Sequence, residues 1–153
     1  MVFFDQDRWL ADNGDYTKRL DYSLNSDSVV VDLGGYRGDF ANNIYSKFNC
    51  NVYVFEPFKE FYDVIAGRFN SNEKIRAFNY GISDKTSTQE FYFCNDGSSL
   101  VEVQRFSEEE NMPVSSVEVR SFTEVYKELN FDVIDLLKIN VEGSEYEILE
   151  NIF

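Results

Sequence analysis

Apolar residues along this chain alternate between two rhythms. Val29–Val31 is an unbroken apolar run, the pattern of a strand buried on both faces of a parallel sheet. Phe40, Ile44 and Phe48 then recur every fourth residue, which predicts a helix with one face on that sheet. The pair repeats. Asn51–Glu56 is rich in strand formers, and Phe58, Phe61, Tyr62, Ile65 and Phe69 make a second helical stripe. Lys74–Ile82 predicts a third strand, closed by the polar turn Ser83-Asp84-Lys85. Ahead of all this, Tyr16, Leu20 and Leu24 form a short helical stripe, so residues 1–27 read as a helical preface onto which Trp9 and Leu10 add packing.

From Thr88 to Arg120 the alternation lapses. Phe91–Cys94, Leu100–Val103 and Val117–Val119 read as short strands of an inserted antiparallel hairpin, with Asp96-Gly97 at a turn. Ser121 and Glu124 have the spacing of a capping box ahead of Phe122, Val125, Tyr126 and Leu129. Val133–Val141 is a fourth buried strand, and Ser144 with Glu147 repeats the box. The expectation is one α/β domain over residues 28–153, its helices on both faces of the sheet.

Ligands of open α/β sheets bind at the carboxyl ends of the strands. There the first unit carries Asp32 followed by Gly34, Gly35 and Gly38. A dinucleotide fingerprint needs a second glycine where the pyrophosphate approaches, and counting from Gly34 that position is Tyr36. S-adenosylmethionine has no phosphate and tolerates a side chain there. Its cationic amino group also suits an acidic strand end. Glu56, 24 residues after Asp32, is spaced to accept the two ribose hydroxyls. Its replacement is expected to weaken cofactor binding and leave the melting temperature of the ligand-free protein unmoved. Ser83 or Asp84 is placed to read an adenine amine. The fourth strand brings Lys138, Asn140 and Glu142 to the same crevice, and a buried lysine needs a partner there. An ion pair between Lys138 and a neighbouring carboxylate is the plain structural alternative to a catalytic role.

Composition narrows the chemistry. Of 153 residues, 28 are acidic and 14 basic, for a net charge of −14, which argues against a nucleic-acid partner. There is no histidine, which removes Ser-His and Cys-His nucleophiles and nearly all zinc sites. Cys50 and Cys94 have no metal or disulfide spacing, and neither a signal peptide nor an apolar span is evident, so a cytoplasmic protein with reduced thiols and no membrane partner is expected.

Four segments in order resemble the FkbM-type methyltransferases: D-L-G-G-Y-R-G (Asp32–Gly38), F-E-P (Phe55–Pro57), G-I-S-D (Gly81–Asp84) and D-L-L-K-I-N-V-E-G-S-E (Asp135–Glu145). The family's usual forms are D-V-G-A-N-x-G, F-E-P, G-x-S-D and D-L-L-K-I-D-V-E-G-x-E. The resemblance implies a Rossmann-like class I fold, S-adenosylmethionine as cofactor, and methyl transfer to a hydroxyl of a sugar or secondary metabolite. The cofactor contacts expected from the strand ends and turns are Asp32, Gly34, Gly35, Tyr36, Gly38, Glu56, Ser83 and Asp84. Chemistry would fall to Glu142 as base or orienter, with Asn140 and Lys138 beside it and no metal. Two departures are Gly35-Tyr36 for the usual alanine-asparagine pair, and Asn140 for the usual aspartate. A non-catalytic nucleotide-binding or interaction domain on the same fold is the alternative. The class I sheet has seven strands, so the chain is also expected to stop short after its fourth, with a further segment or a second copy covering that edge.

Overall fold

The computed structural model describes residues 11–14, 19–94, 97–99, 114–141 and 145–152. Its first sheet holds β1 (Val29–Leu33), β2 (Asn51–Phe55), β3 (Ile75–Phe78) and β8 (Leu136–Ile139), all parallel, in the order β3-β2-β1-β8. A smaller mixed sheet has the order β4-β7-β5-β6, from β4 (Gly81–Ser83), β5 (Ser87–Cys94), β6 (Gly97–Ser99) and β7 (Val114–Ser121). The helices packed with these sheets among the described residues are α1 (Asp39–Phe48), α2 (Lys59–Arg68), α3 (Phe122–Glu128) and α4 (Glu145–Ile152).

Alternation along the strands sorts side chains onto two faces. Val30, Val52 and Val54 point to one side, where Ala41 and Ile44 of α1 and Ile65 of α2 close over them. Val31, Leu33 and Phe55 point to the other, against Ile82 of β4, Phe122 and Val125 of α3, Phe131, and Ile148 of α4. Each fully buried aliphatic side chain contributes about 1.5–3 kcal/mol relative to exposure, so both layers hold the sheet strongly. The same alternation sends Asp32, Glu56 and Lys138 to the α1 side, at the carboxyl ends of their strands.

Several local expectations change. The run 74–82 is two strands rather than one. After Phe78 the chain leaves the first sheet: Glu56 N–H donates to Phe78 O, and Asn79 Nδ2 donates to Glu56 O and Pro57 O. Gly81 then passes so close to Val119 that a Cβ there would lie 3.1 Å from its Cγ1, and β4 pairs in parallel with β7. The expected hairpin is thereby part of a small mixed sheet; residues 100–103, assigned to one of its strands, lie outside the described residues.

The Ser121–Glu124 box does not form. Thr86 takes its place, its hydroxyl accepting from Ser121 N–H and donating to Glu124 Oε2. Ser144 lies outside the described residues, and Glu145 Oε1, in the first turn of α4, accepts from Val141 N–H. The fourth strand is shorter than its apolar run: Val133 precedes it and is 61% exposed. Among the described residues β8 pairs with β1 alone, so it forms one edge of the first sheet.

Residues 19–27 are not helical. Leu20 and Leu24 still pack on the α1 face, and Lys47 Nζ and Lys74 Nζ bind the carbonyls of Leu20 and Ser26. Those lysines satisfy carbonyls that a helix would satisfy internally. Trp9, Leu10 and Tyr16 lie outside the described residues.

Candidate active site

The site is built on one rung. Asp32 of β1 is in register with Lys138 of β8, and Lys138 Nζ lies 2.8 Å from Asp32 Oδ1. Asp32 has no exposed surface, and neither of its oxygens completes an aligned hydrogen bond among the described residues. Burial pushes its pKa up, and the Lys138 charge pulls it back. The lysine also donates to Gly34 O at 2.6 Å, so one ammonium ties the aspartate to the loop that follows it. The ion pair considered above as the plain alternative is therefore present.

Gly34 explains why the loop can be held there. Its φ is +80°, and a Cβ would sit 2.0 Å from the carbonyl oxygen of Asn140. Only a residue without a side chain lets this loop lie against the exit of β8. Asn140 N–H donates to Leu33 O, continuing the ladder, while its side chain is exposed. Gly35 is buried against Val54 and Ile65, and Gly38 caps the start of α1 beside Phe69.

Tyr36 is left-handed, with φ +50°, an unusual conformation for an aromatic residue. The residue is 49% exposed, and its ring meets the Phe61 ring of α2 edge-on at 4.5 Å and has the Arg37 guanidinium 5.1 Å from its centroid. Its amide is held by Glu56, whose Oε2 accepts it at 2.7 Å. Glu56 Oε1 accepts the amide of Phe58 at 3.0 Å, at the start of α2. One carboxylate thus joins the β1–α1 loop to the β2–α2 turn. Burial raises its pKa from 4.5 to about 7, against the two amides that favour the charged form. Asp32 adds to the rise and Lys138 opposes it.

The structure thus brings together Asp32, Gly34, Gly35, Tyr36, Gly38, Glu56, Lys138 and Asn140. Ser83 ends β4 in the smaller sheet, buried opposite Ser121, and its hydroxyl donates to Asp84 Oδ1 at 3.1 Å. The residue at the carboxyl end of β3 is instead Asn79, which a strand running on to Ile82 conceals. Glu142 lies outside the described residues. Two members of the last motif have structural roles that spacing did not reveal. Asp135 Oδ2 accepts from Val29 N–H at the start of β1, and Glu145 secures Val141.

The residues fit an adenosine group. A carboxylate has about four lone-pair sites, and Glu56 uses two, which leaves acceptor capacity on both oxygens for a pair of vicinal hydroxyls.

Residues 32–152 match the family model of the methyltransferase FkbM domain. The chain belongs to that family of methyltransferase domains. No curated protein matches it. Among solved structures it is similar to the crystal structure of P. horikoshii TYW2 in complex with MeSAdo, at 16% identity and a TM-score of 0.38. That match covers 51% of this chain and 29% of the other, so the chain spans under a third of that structure's length. Among the described residues no helix is long and apolar enough to cross a membrane.

Proposed function

We propose that this domain transfers the methyl group of S-adenosylmethionine to a hydroxyl oxygen, on a sugar or a secondary metabolite. The observation that carries the reading is the convergence of Asp32, Glu56 and Lys138 beside the Gly34–Gly38 loop at the carboxyl ends of three parallel strands. Glu56 would hold the ribose hydroxyls, Tyr36 would lie against the methionine portion, and Lys138 would keep Asp32 and Gly34 in place.

The bound sulfonium supplies an already activated methyl group. The protein's task is alignment of an acceptor oxygen behind the methyl, together with loss of the hydroxyl proton. Lys138 is engaged by Asp32 and Gly34 and is a positioning group rather than a base. Asn140, exposed at the strand end, can hydrogen-bond cofactor or acceptor but cannot take a proton. The base or orienting role falls to Glu142.

Incubating the chain with S-adenosylmethionine and a panel of hydroxylated acceptors, and following S-adenosylhomocysteine, tests this. Turnover with a hydroxyl acceptor that is lost in Glu142→Gln supports it. Cofactor binding without turnover on any acceptor would favour the non-catalytic alternative.

A further inference from the structure

Asn79 follows the last residue of β3, beside the exit of β2 where Glu56 stands. Its Nδ2 donates to Glu56 O and to Pro57 O, both at 3.1 Å. Two carbonyls around one end of the amide fix that end as nitrogen, since oxygen there would face two acceptors. Both N–H groups are then engaged, and Oδ1 has no partner among the described residues. The side chain therefore offers an acceptor and no donor. It lines a cavity of about 630 Å³, a volume that suits a small ligand, together with Pro57, Phe58, Ser116, Val117 and Glu118. Phe58 and Val117 belong to one apolar cluster and give the cavity an apolar side. Another side is a strand edge. β7 pairs with β5 from Val114 to Val119, but with β4 only from Val119 to Ser121. Along Ser115–Glu118 the β4 side of β7 thus has no ladder partner among the described residues.

Resting on the methyltransferase reading, we propose that Asn79 selects the base of the cofactor: its Oδ1 accepts the exocyclic amine of adenine, in a cavity that the open edge of β7 borders. A planar heterocycle suits an apolar side and a row of backbone groups, and an amine suits a lone acceptor. The Ser83-Asp84 turn, expected from the sequence to read that amine, does not line the cavity, and the Ser83 hydroxyl is spent on Asp84. The site also rejects a base with a carbonyl in place of the amine, as in hypoxanthine. Oxygen would then meet oxygen, and turning the Asn79 amide to present nitrogen would strip Glu56 O and Pro57 O of their donor. The small mixed sheet thereby takes part in choosing the cofactor, through a strand that lies outside the parallel sheet.

Calorimetry of the unaltered chain with adenosine, purine riboside and inosine tests this without any substitution. The three nucleosides share a ribose and differ at one position of the base: an amine, a hydrogen and a carbonyl. Adenosine is expected to bind most tightly and inosine most weakly, with about 5- to 150-fold between those two. In Asn79→Ala the preference for adenosine over inosine should be lost, whatever the overall affinity. Ser116→Trp, at an exposed position, keeps the fold and obstructs the cavity, so it should weaken adenosine at least tenfold. It also serves where the alanine variant does not fold. Inosine binding as tightly as adenosine to the unaltered chain overturns the proposal and leaves the methyltransferase reading standing. So does a preference that survives in Asn79→Ala, or adenosine affinity unchanged in Ser116→Trp. Failure of S-adenosylmethionine and adenosine alike to bind overturns both.

Discussion

Asp32 and Lys138 stand on one rung of the parallel sheet, with the lysine nitrogen 2.8 Å from a carboxylate oxygen that has no access to water. The arrangement neutralises a charge that burial would otherwise make costly, and it places the same ammonium on Gly34 O. One ammonium thus ties the end of β1 to the glycine loop that follows it.

Lys138→Met leaves Asp32 buried without its partner, at an expected cost of about 3–5 kcal/mol at neutral pH. The sign with pH follows from Asp32, whose folded pKa lies above its ordinary value. Without the lysine it rises further, so the folded variant holds its proton more tightly than the unfolded chain. The variant's stability therefore falls as pH rises above about 4, and the penalty shrinks in acid. Urea unfolding of both proteins at pH 4.5 and pH 7.5 checks this. An equal penalty at both pH values contradicts it.

Gly34→Ala and Gly67→Ala form a matched pair. At Gly34 the added Cβ meets Asn140 O at 2.0 Å and the backbone has φ +80°, so the loss should exceed about 3 kcal/mol. At Gly67, inside α2, a Cβ meets nothing within 4 Å, and alanine should stabilise by about 0.5–1 kcal/mol. Thermal melts of the two variants should therefore move in opposite directions.

Much of the framework was written in the apolar pattern, because buried parallel strands and amphipathic helices leave strong periodic signals. Val29–Val31, the Phe40–Ile44–Phe48 stripe and the Asn51–Glu56 strand all took the positions expected. Contacts made across the chain left weaker traces. Nothing local shows that Thr86 would displace the Ser121–Glu124 box, or that Asn79 would turn the third strand out of its sheet. At the site, the strand-end positions of Asp32, Glu56 and Lys138 were legible. The two amides on Glu56 were not, because one of them comes from a loop 20 residues away.

Those amides change what Glu56→Ala should do to the ligand-free protein. Sequence spacing alone predicted an unchanged melting temperature; the structure predicts a loss, because Tyr36 and Phe58 lose their acceptors. In acid, where Glu56 is neutral, the loss should be about 1–3 kcal/mol. The folded pKa of about 7 lies above the ordinary 4.5, so the native state binds this proton more tightly than the unfolded chain. Its contribution is fully present below about pH 4.5 and declines by roughly 3 kcal/mol as pH rises through 7. The alanine variant should lack that decline. Denaturation curves at pH 4.5 and pH 8 compare the slopes, and identical slopes would remove Glu56 from this role.

The most direct test of the central claim is calorimetric titration of the chain with S-adenosylmethionine, beside Glu56→Ala and beside NAD. The account predicts saturable binding of S-adenosylmethionine, weakened about 5- to 150-fold in the variant, the equivalent of about 1–3 kcal/mol from losing a charged acceptor. It predicts no binding of NAD, whose pyrophosphate would meet Tyr36 where a glycine is needed. No saturable heat with S-adenosylmethionine, or the same dissociation constant with and without the Glu56 carboxylate, would contradict it.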